Sequence, residues 1–474
     1  MPIPEFTTSI SALLYGREIG PKIFTSDALE EMFMEPCFLT AAQAAARIRE
    51  KTLTSEALVR SCLERIAARD ADVRAWAYVD PAQAIAQARE RDKRQTMGIM
   101  GPLHGLPFGV KDVIDTADMP TGQNSPQYQG HRPSKDAGCV AVVRHSGALI
   151  LGKTDTVEFA AGGRKALTRN PHNLAHTPGG SSSGSGAAVG DYMVPLAFGT
   201  QTGGSHIRPA AFNGIYGLKP TWGAVTREGA KLSSAMCDTV GWYGRSVADL
   251  ALVAEAFRLR DLASQKPVTI RGLKVAVCKT PYWNKAEAAA QKALATAAER
   301  LQKAGARIEE LELPSRFGSL NTAQRTIAYG EGGAAFLPEV LAHGERLHEE
   351  FRDVAANKRD ITGAMMVEAY DLVADCAKTF DAMFASFDVV VTPSAPGEAP
   401  EGLHTTGEWT FNALWTVMHM PCLAIPCIKG SKGLPVGIQI VGPRYSDARL
   451  LTIAAAVAPV IDADAAQPDR SSTR

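Results

Sequence analysis

The apolar positions of the chain fall first into two amphipathic helical stretches. Thr40 heads AAQAAARIREK as an N-cap, and Thr54 opens SEALVRSCLERIAARD, where Leu58, Cys62 and Ile66 recur every fourth residue and share one helical face. A polar, alanine-rich helical stretch continues to about Arg94. The pattern then changes: Gly and Pro become frequent, and GPLHGLPFGVKDVID holds one short apolar strand through Phe108–Val110. Further on, GCVAVVRHSGALILGKTD reads as a helix, a glycine turn and a buried strand at Ala148–Leu151. Such alternation of helix and strand is expected of α/β proteins.

Between Pro171 and Pro220 the chain is rich in Gly and Ser, yet it carries VPLAFGT, a strand-like run, so it is not a flexible linker. Regularity returns at Leu250 with a helix ending near Leu259, the strand LKVAVCK, a long helix through Lys292–Lys303 and a strand around Ile308, a β-α-β unit. Residues 315–385 read as helical. FDVVVTPSAP, PCLAIPCI and PVGIQIVG then supply three apolar strands before a closing helix through Leu450–Val457. At the ends, residues 1–36 have weak periodicity and are expected to wrap the surface as an extension, the main domain runs over 37–460, and 461–474 read as a disordered tail.

Composition narrows the function more than the fold. A chain of 474 residues would by length alone suggest about two or three domains. Lys plus Arg equals Asp plus Glu, 50 against 50, and no long basic run occurs, so a nucleic-acid or anionic-membrane footprint is not expected and a small-molecule substrate fits better. The eight cysteines are scattered and form no CxxC pair, which reads as core thiols with no metal site. The N-terminal sequence lacks the features of a secretory signal, and no window of about 18 apolar residues is free of charge. A cytoplasmic, soluble protein is expected.

The chemistry concentrates in TPGGSSSGSGAAVGDYMVPLAFGTQTGGSHIRPAAFNGIYGLKPT, which starts at Thr177. Gly179-Gly180-Ser181 and Gly203-Gly204-Ser205 are two Gly-Gly-Ser elements separated by a short helix and a strand, and glycines of this kind permit positive φ and close approach to main-chain N–H groups. A phosphate cradle is the competing reading. It would need a GK[ST] ending, or G-x-G-x-x-G followed by an acid, and neither is present.

Together with FGVKDVID upstream, this stretch resembles the amidase signature family. The likeness extends through ILGKTDTVEFA, GLKPTWG and GRSVADLAL to LPVGIQIVG, in family order. It implies a single large α/β domain with a mixed central sheet flanked by helices on both sides, against the estimate from length. It further implies a Ser-cisSer-Lys triad of Lys111, Ser181 and Ser205, the second serine following the first by 24 residues (181 to 205). In that scheme Lys111 is an uncharged base, Ser181 relays the proton across a cis Gly180–Ser181 peptide, and Ser205 is the nucleophile. The backbone N–H groups of Thr202, Gly203 and Gly204 form the oxyanion hole, with that of Ser205 itself as a further candidate, and no metal or organic cofactor is implied.

A serine hydroxyl attacks only when a base takes its proton, and a lysine is that base only where burial or a neighbouring positive charge depresses its pKa. GLPFGVK supplies apolar company. Around this centre Ser182 is expected to support Lys111 by hydrogen bonding, ahead of Ser183, and Gln201 to orient the loop. Arg208 has two readings, a holder of a substrate carboxylate or a buried structural arginine. His206 is read as packing or surface rather than as a base, His172 and His176 as no metal site, Asp238 and Arg245 as a structural pair, and Phe411 and Trp415 as core. The expected activity is hydrolysis of an amide, carbamate or ureide with water, by a stand-alone protein for which a homodimer is one allowed assembly. The alternative is the A subunit of a tRNA-dependent amidotransferase, which the triad alone does not separate from it.

Overall fold

The computed structural model describes residues 34–463. Both leading helices begin where the sequence places them. Thr40 Oγ1 accepts the Gln43 N–H at 3.1 Å while Gln43 Oε1 accepts the Thr40 N–H at 2.9 Å, a reciprocal capping box that starts Ala41–Arg49. Thr54 Oγ1 accepts from Ala57 N at 3.1 Å and starts Ser55–Val73. Along the second helix Leu58 and Cys62 are buried, and buried Arg65 joins them by bonding Asp191.

Eleven strands form one continuous sheet: β1 Trp76–Val79, β2 Pro107–Lys111, β3 Leu149–Thr154, β4 Leu196–Gln201, β5 Tyr216–Lys219, β6 Thr239–Gly244, β7 Lys274–Val277, β8 Arg307–Glu310, β9 Val389–Pro393, β10 Cys422–Lys429 and β11 Pro435–Val441. Their spatial order is β1-β3-β2-β4-β6-β5-β10-β11-β9-β7-β8. β2 runs parallel to β3 and β4, and β7 to β8 and β9, while the remaining pairs are antiparallel. A single mixed sheet spanning the described residues replaces the two or three domains that length suggested. Every residue of β2, β3, β4, β5, β6, β9 and β11 is buried, so both faces of the central sheet are covered, and for that reason these strands show no period-two alternation.

The sequence reading missed three strands. β1 is a four-residue edge strand with an irregular burial pattern, and β5 and β6 contain glycines inside a stretch dominated by turn signals. β2 runs one residue past the expected apolar run, so that Lys111 is its last residue. The closing helix, Asp447–Ile461, buries Ile461 and so extends one residue into the segment expected as tail. The rest of that tail beyond residue 463, and the expected extension apart from residues 34–36, lie outside the described residues. None of the described helices is long and apolar enough to cross a membrane.

Candidate active site

The two Gly-Gly-Ser elements meet at the carboxyl ends of β2 and β4. β2 and β4 are parallel neighbours, with Val110 opposite Phe198, so Lys111 and Thr200 end up close together at the same end of the sheet. The helix Ser183–Gly190 begins just after Ser181–Ser182, and β4 feeds directly into the second element at Thr202. The sequence separation of the two elements is therefore one helix plus one strand, which together return the chain to the same end of the sheet.

Lys111 is completely buried. Its Nζ lies 2.7 Å from Ser181 Oγ, 3.0 Å from Ser182 Oγ and 2.7 Å from Thr200 Oγ1, and among the described residues it makes no salt bridge. Burial pushes its pKa well below the ordinary lysine value, and the more distant carboxylate of Asp238 only partly opposes this. Ser182 is itself fixed, donating to the Thr200 carbonyl at 3.2 Å and accepting the Thr200 N–H at 3.1 Å. The Gly180–Ser181 peptide is cis.

Ser205 shares a cavity of about 240 Å3 with Ser181, Thr202, Gly203, Gly204 and Arg208. The Ser205 carbonyl accepts the Ser182 N–H at 3.3 Å, while its hydroxyl makes no hydrogen bond among the described residues. The structure thus brings Lys111 onto Ser181 directly and sets Ser205 on the same cavity wall. Catalytic hydrogen bonds are commonly looser before substrate arrives than after.

The loop leading to Ser205 has an unusual account of its backbone groups. All four carbonyls from Thr202 to Ser205 are held, by Gln324 Nε2 at 2.9 Å, Thr416 Oγ1 at 2.7 Å, Arg208 N at 3.1 Å and Ser182 N at 3.3 Å in turn. The four N–H groups donate to no acceptor among the described residues. Buried N–H groups are rarely left unpaired, and successive free N–H groups facing a cavity form an anion-binding concavity.

The glycines act differently from expectation. Gly203 and Gly204 do not have positive φ, which in this region belongs to Gly179 at 83°. Instead a Cβ on Gly204 would fall 2.5 Å from Asn412 Oδ1 and 2.7 Å from Trp409 Cβ, and one on Gly203 would fall 2.9 Å from Trp409 Cδ1. They are required by what packs behind the loop.

Arg208 is a buried structural arginine at the cavity wall. Nη2 donates to the Gly180 carbonyl and, at 3.0 Å, to Thr406 Oγ1, a structural role that braces the cis peptide. Nε and Nη1 are buried without a partner, and the guanidinium lies 5.8 Å from the Trp409 ring centroid at the cavity wall. Burial pushes its pKa down to about 10.

Gln201 Oε1 accepts the N–H groups of His206 and Ile207 at 2.9 Å each, which is the orienting role expected. His206 is core: its ring stacks on Tyr243 at 4.0 Å, Nε2 meets the Trp242 carbonyl at 3.1 Å, and burial pushes its pKa to about 3. His172 and His176 each meet a separate carbonyl, Asn213 O and Ala399 O. Phe411 and Trp415 are fully buried and off the cavity, which Trp409 lines instead. The pairing expected of Asp238 with Arg245 does not occur. Asp238 accepts from Thr202 Oγ1 at 2.6 Å and from the N–H groups of Ser233 and Ser234, whereas Arg245 holds the carbonyls of Cys37, Leu39 and Val194.

The sequence model of the Amidase family matches residues 57–451. The chain belongs to this family. As a member it is a hydrolase acting on carbon–nitrogen bonds other than peptide bonds, with the α/β fold of the amidase signature enzymes. Among curated proteins it is 32% identical to the A subunit of glutamyl-tRNA(Gln) amidotransferase from Roseiflexus castenholzii, over 92% of this chain and 99% of that one. Among solved structures it is 29% identical to a peptide amidase from Stenotrophomonas maltophilia, covering 91% of this chain and 98% of the other with a TM-score of 0.77. It also matches the corresponding A subunit of glutamyl-tRNA(Gln) amidotransferase from Thermotoga maritima, at 25% identity and a TM-score of 0.73 over 90% and 95% of the two chains.

Proposed function

We propose that the chain hydrolyses a carboxamide or a related carbamate or ureide through an acyl-enzyme on Ser205. The observation that carries this reading is Lys111, a fully buried amine touching Ser181 Oγ at 2.7 Å with no salt-bridge partner among the described residues. An amine buried without a counter-charge stays neutral, and a neutral amine is a base. Ser205 Oγ bonds to the substrate carbonyl carbon as its proton passes to Ser181 Oγ and the Ser181 proton passes to Lys111 Nζ. Negative charge gathers on the carbonyl oxygen and is received by the free N–H groups of Thr202, Gly203 and Gly204. Collapse breaks the C–N bond, and the leaving amine takes back the proton from Lys111 through Ser181. Water then repeats the sequence in the place of the amine and releases the acid.

Purified protein is expected to release amine from at least one member of a panel of aryl amides, alkyl amides, carbamates and ureides. Ser205→Ala is expected to lose this by roughly 10⁴-fold or more. Equal amine release by Ser205→Ala and wild type removes the assignment.

The curated relatives favour a second reading, the A subunit of a tRNA-dependent amidotransferase, because proteins of that name align over nearly their whole length. It requires partner chains, whereas the first does not. Amide hydrolysis by the purified chain alone separates the two.

A further inference from the structure

We infer that Gln324 and Thr416 are positioning residues that aim the oxyanion-binding N–H groups of Gly203 and Gly204, a role that rests on the acyl-enzyme reading above. The cis peptide of this site is Gly180–Ser181, so the Thr202–Gly203 and Gly203–Gly204 units are trans. A planar trans unit sets its C=O and its N–H antiparallel. Whatever grips the Thr202 carbonyl therefore fixes the direction of the Gly203 N–H, and whatever grips the Gly203 carbonyl fixes that of Gly204. Gln324 Nε2 holds the first carbonyl at 2.9 Å and Thr416 Oγ1 the second at 2.7 Å.

Each grip is itself restrained. Thr416 is fully buried and accepts Gln201 Nε2 at 2.9 Å, which leaves its proton to be donated. Its two acceptors are Gly203 O at 2.7 Å and its own helix's Asn412 O at 3.0 Å, and the shorter is the loop carbonyl. Gln201 is pinned in turn by the first N–H groups of the helix Ile207–Phe212. Gln324, also buried, comes from the helix Leu320–His343 and lines the cavity together with Arg325, Ala328 and Tyr329 of the same helix. One helix thus supplies both a wall for the substrate and the clamp on the N–H that receives its charge. Glycine loops with free N–H groups have no side chains of their own to set their peptide planes. Outside groups have to do so, and these two do.

The test uses a short-chain alkyl fluorophosphonate, whose phosphoryl oxygen occupies the oxyanion site as Ser205 is modified, with reversible binding (KI) resolved from the limiting rate (k2). Gln324→Leu and Thr416→Val are each expected to lower k2 by about 10- to 100-fold, somewhat less than the loss of a whole oxyanion donor, with KI within twofold of wild type. Thr416→Ser keeps the hydroxyl and is expected to recover k2 to within threefold. Should Gln324→Leu fail to fold, Gln324→Glu keeps the side-chain size, replaces the donor with a carboxylate oxygen and carries the same expectation. Values of k2 within threefold of wild type in the Gln324 and Thr416→Val variants overturn the assignment, as does a KI that rises in step with the fall in k2. If wild type is not labelled at Ser205, the acyl-enzyme reading falls instead, so the two failures are distinguishable.

Discussion

Two lysines lie buried in adjacent strands and have opposite surroundings. β2 and β3 pair in parallel register with Val110 opposite Lys153 and Lys111 opposite Thr154. Because successive residues of a strand face opposite ways, Lys111 and Lys153 project from opposite faces of the sheet. Lys153 meets the carboxylate of Asp112 at 3.2 Å and Thr121 Oγ1 at 2.7 Å. Lys111 meets three hydroxyls. Burial depresses both amines, but at Lys153 the charges of Asp112, Asp115 and Asp118 oppose it, whereas at Lys111 the fall is much larger. The same side chain at the same depth is an ionic tie where a carboxylate faces it, and where only hydroxyls do it is the amine that the proposed function uses as a base.

The largest expected effect separates these roles. Lys111→Met should abolish amide hydrolysis, by roughly 10⁴-fold or more, while the protein stays folded, since Ser182 keeps both of its bonds to Thr200. Lys153→Met should do the reverse. It leaves the Asp112 carboxylate buried with only the Gly122 N–H as a hydrogen-bond donor, at a cost of about 3–5 kcal/mol for a broken buried pair. Denaturant unfolding alongside activity per folded molecule checks both, and a stability loss in Lys111→Met larger than in Lys153→Met would reverse the comparison.

A smaller effect sharpens it through pH. Lys111 must be neutral to act, so kcat/KM should rise with pH along a limb centred below the ordinary lysine range. The Asp238 charge raises the Lys111 pKa, and so Asp238→Asn should move that limb to lower pH. The linked stability has a definite sign. Between the depressed folded pKa and the unfolded value near ~10.4, the unfolded chain binds a proton that the native chain does not, so stability rises with pH across that window. This slope should vanish in Lys111→Met. A limb that stays in place in Asp238→Asn, read from pH–rate profiles, shows that Asp238 does not act on the base.

What the sequence made legible follows the distance over which each contact is made. Thr40 and Thr54 cap their own helices three residues away, and both were readable from local pattern. Lys111, Ser181 and Ser182 were singled out from motifs that are short and specific, and both serines are brought within hydrogen-bonding distance of Lys111. Thr200 was not singled out, because its bond to Lys111 follows from the pairing of β2 with β4, which no local pattern states. Gln324 and Thr416 reach the loop from 122 and 213 residues away, out of helices whose periodicity reports only that they are helices. Trp409 escaped for the same reason, while Phe411 and Trp415, on the neighbouring helix Thr410–Val417, turned out to be core as expected. Asp238 was assigned to the nearest arginine in sequence, but the turn over residues 235–237 brings it back onto the N–H groups of Ser233 and Ser234 and to Thr202 Oγ1.

The smallest expected effect tests whether hydroxyls alone set the state of Lys111. Thr200 Oγ1 accepts from Nζ at 2.7 Å, as close as Ser181 does, yet the proposed relay to Ser205 does not use it. Thr200→Val removes that acceptor without changing the shape of the side chain and leaves the Thr200 backbone bonds to Ser182 in place. An acceptor favours the ammonium over the amine, so its loss lowers the Lys111 pKa further and moves the ascending limb of the pH profile to lower pH. The plateau rate should fall only about fivefold, the worth of one ordinary hydrogen bond of about 1 kcal/mol, because the proposed relay runs from Lys111 through Ser181, whose contact with Nζ is kept. A loss as large as that of Lys111→Met would mean that Thr200, and not Ser181, carries the proton.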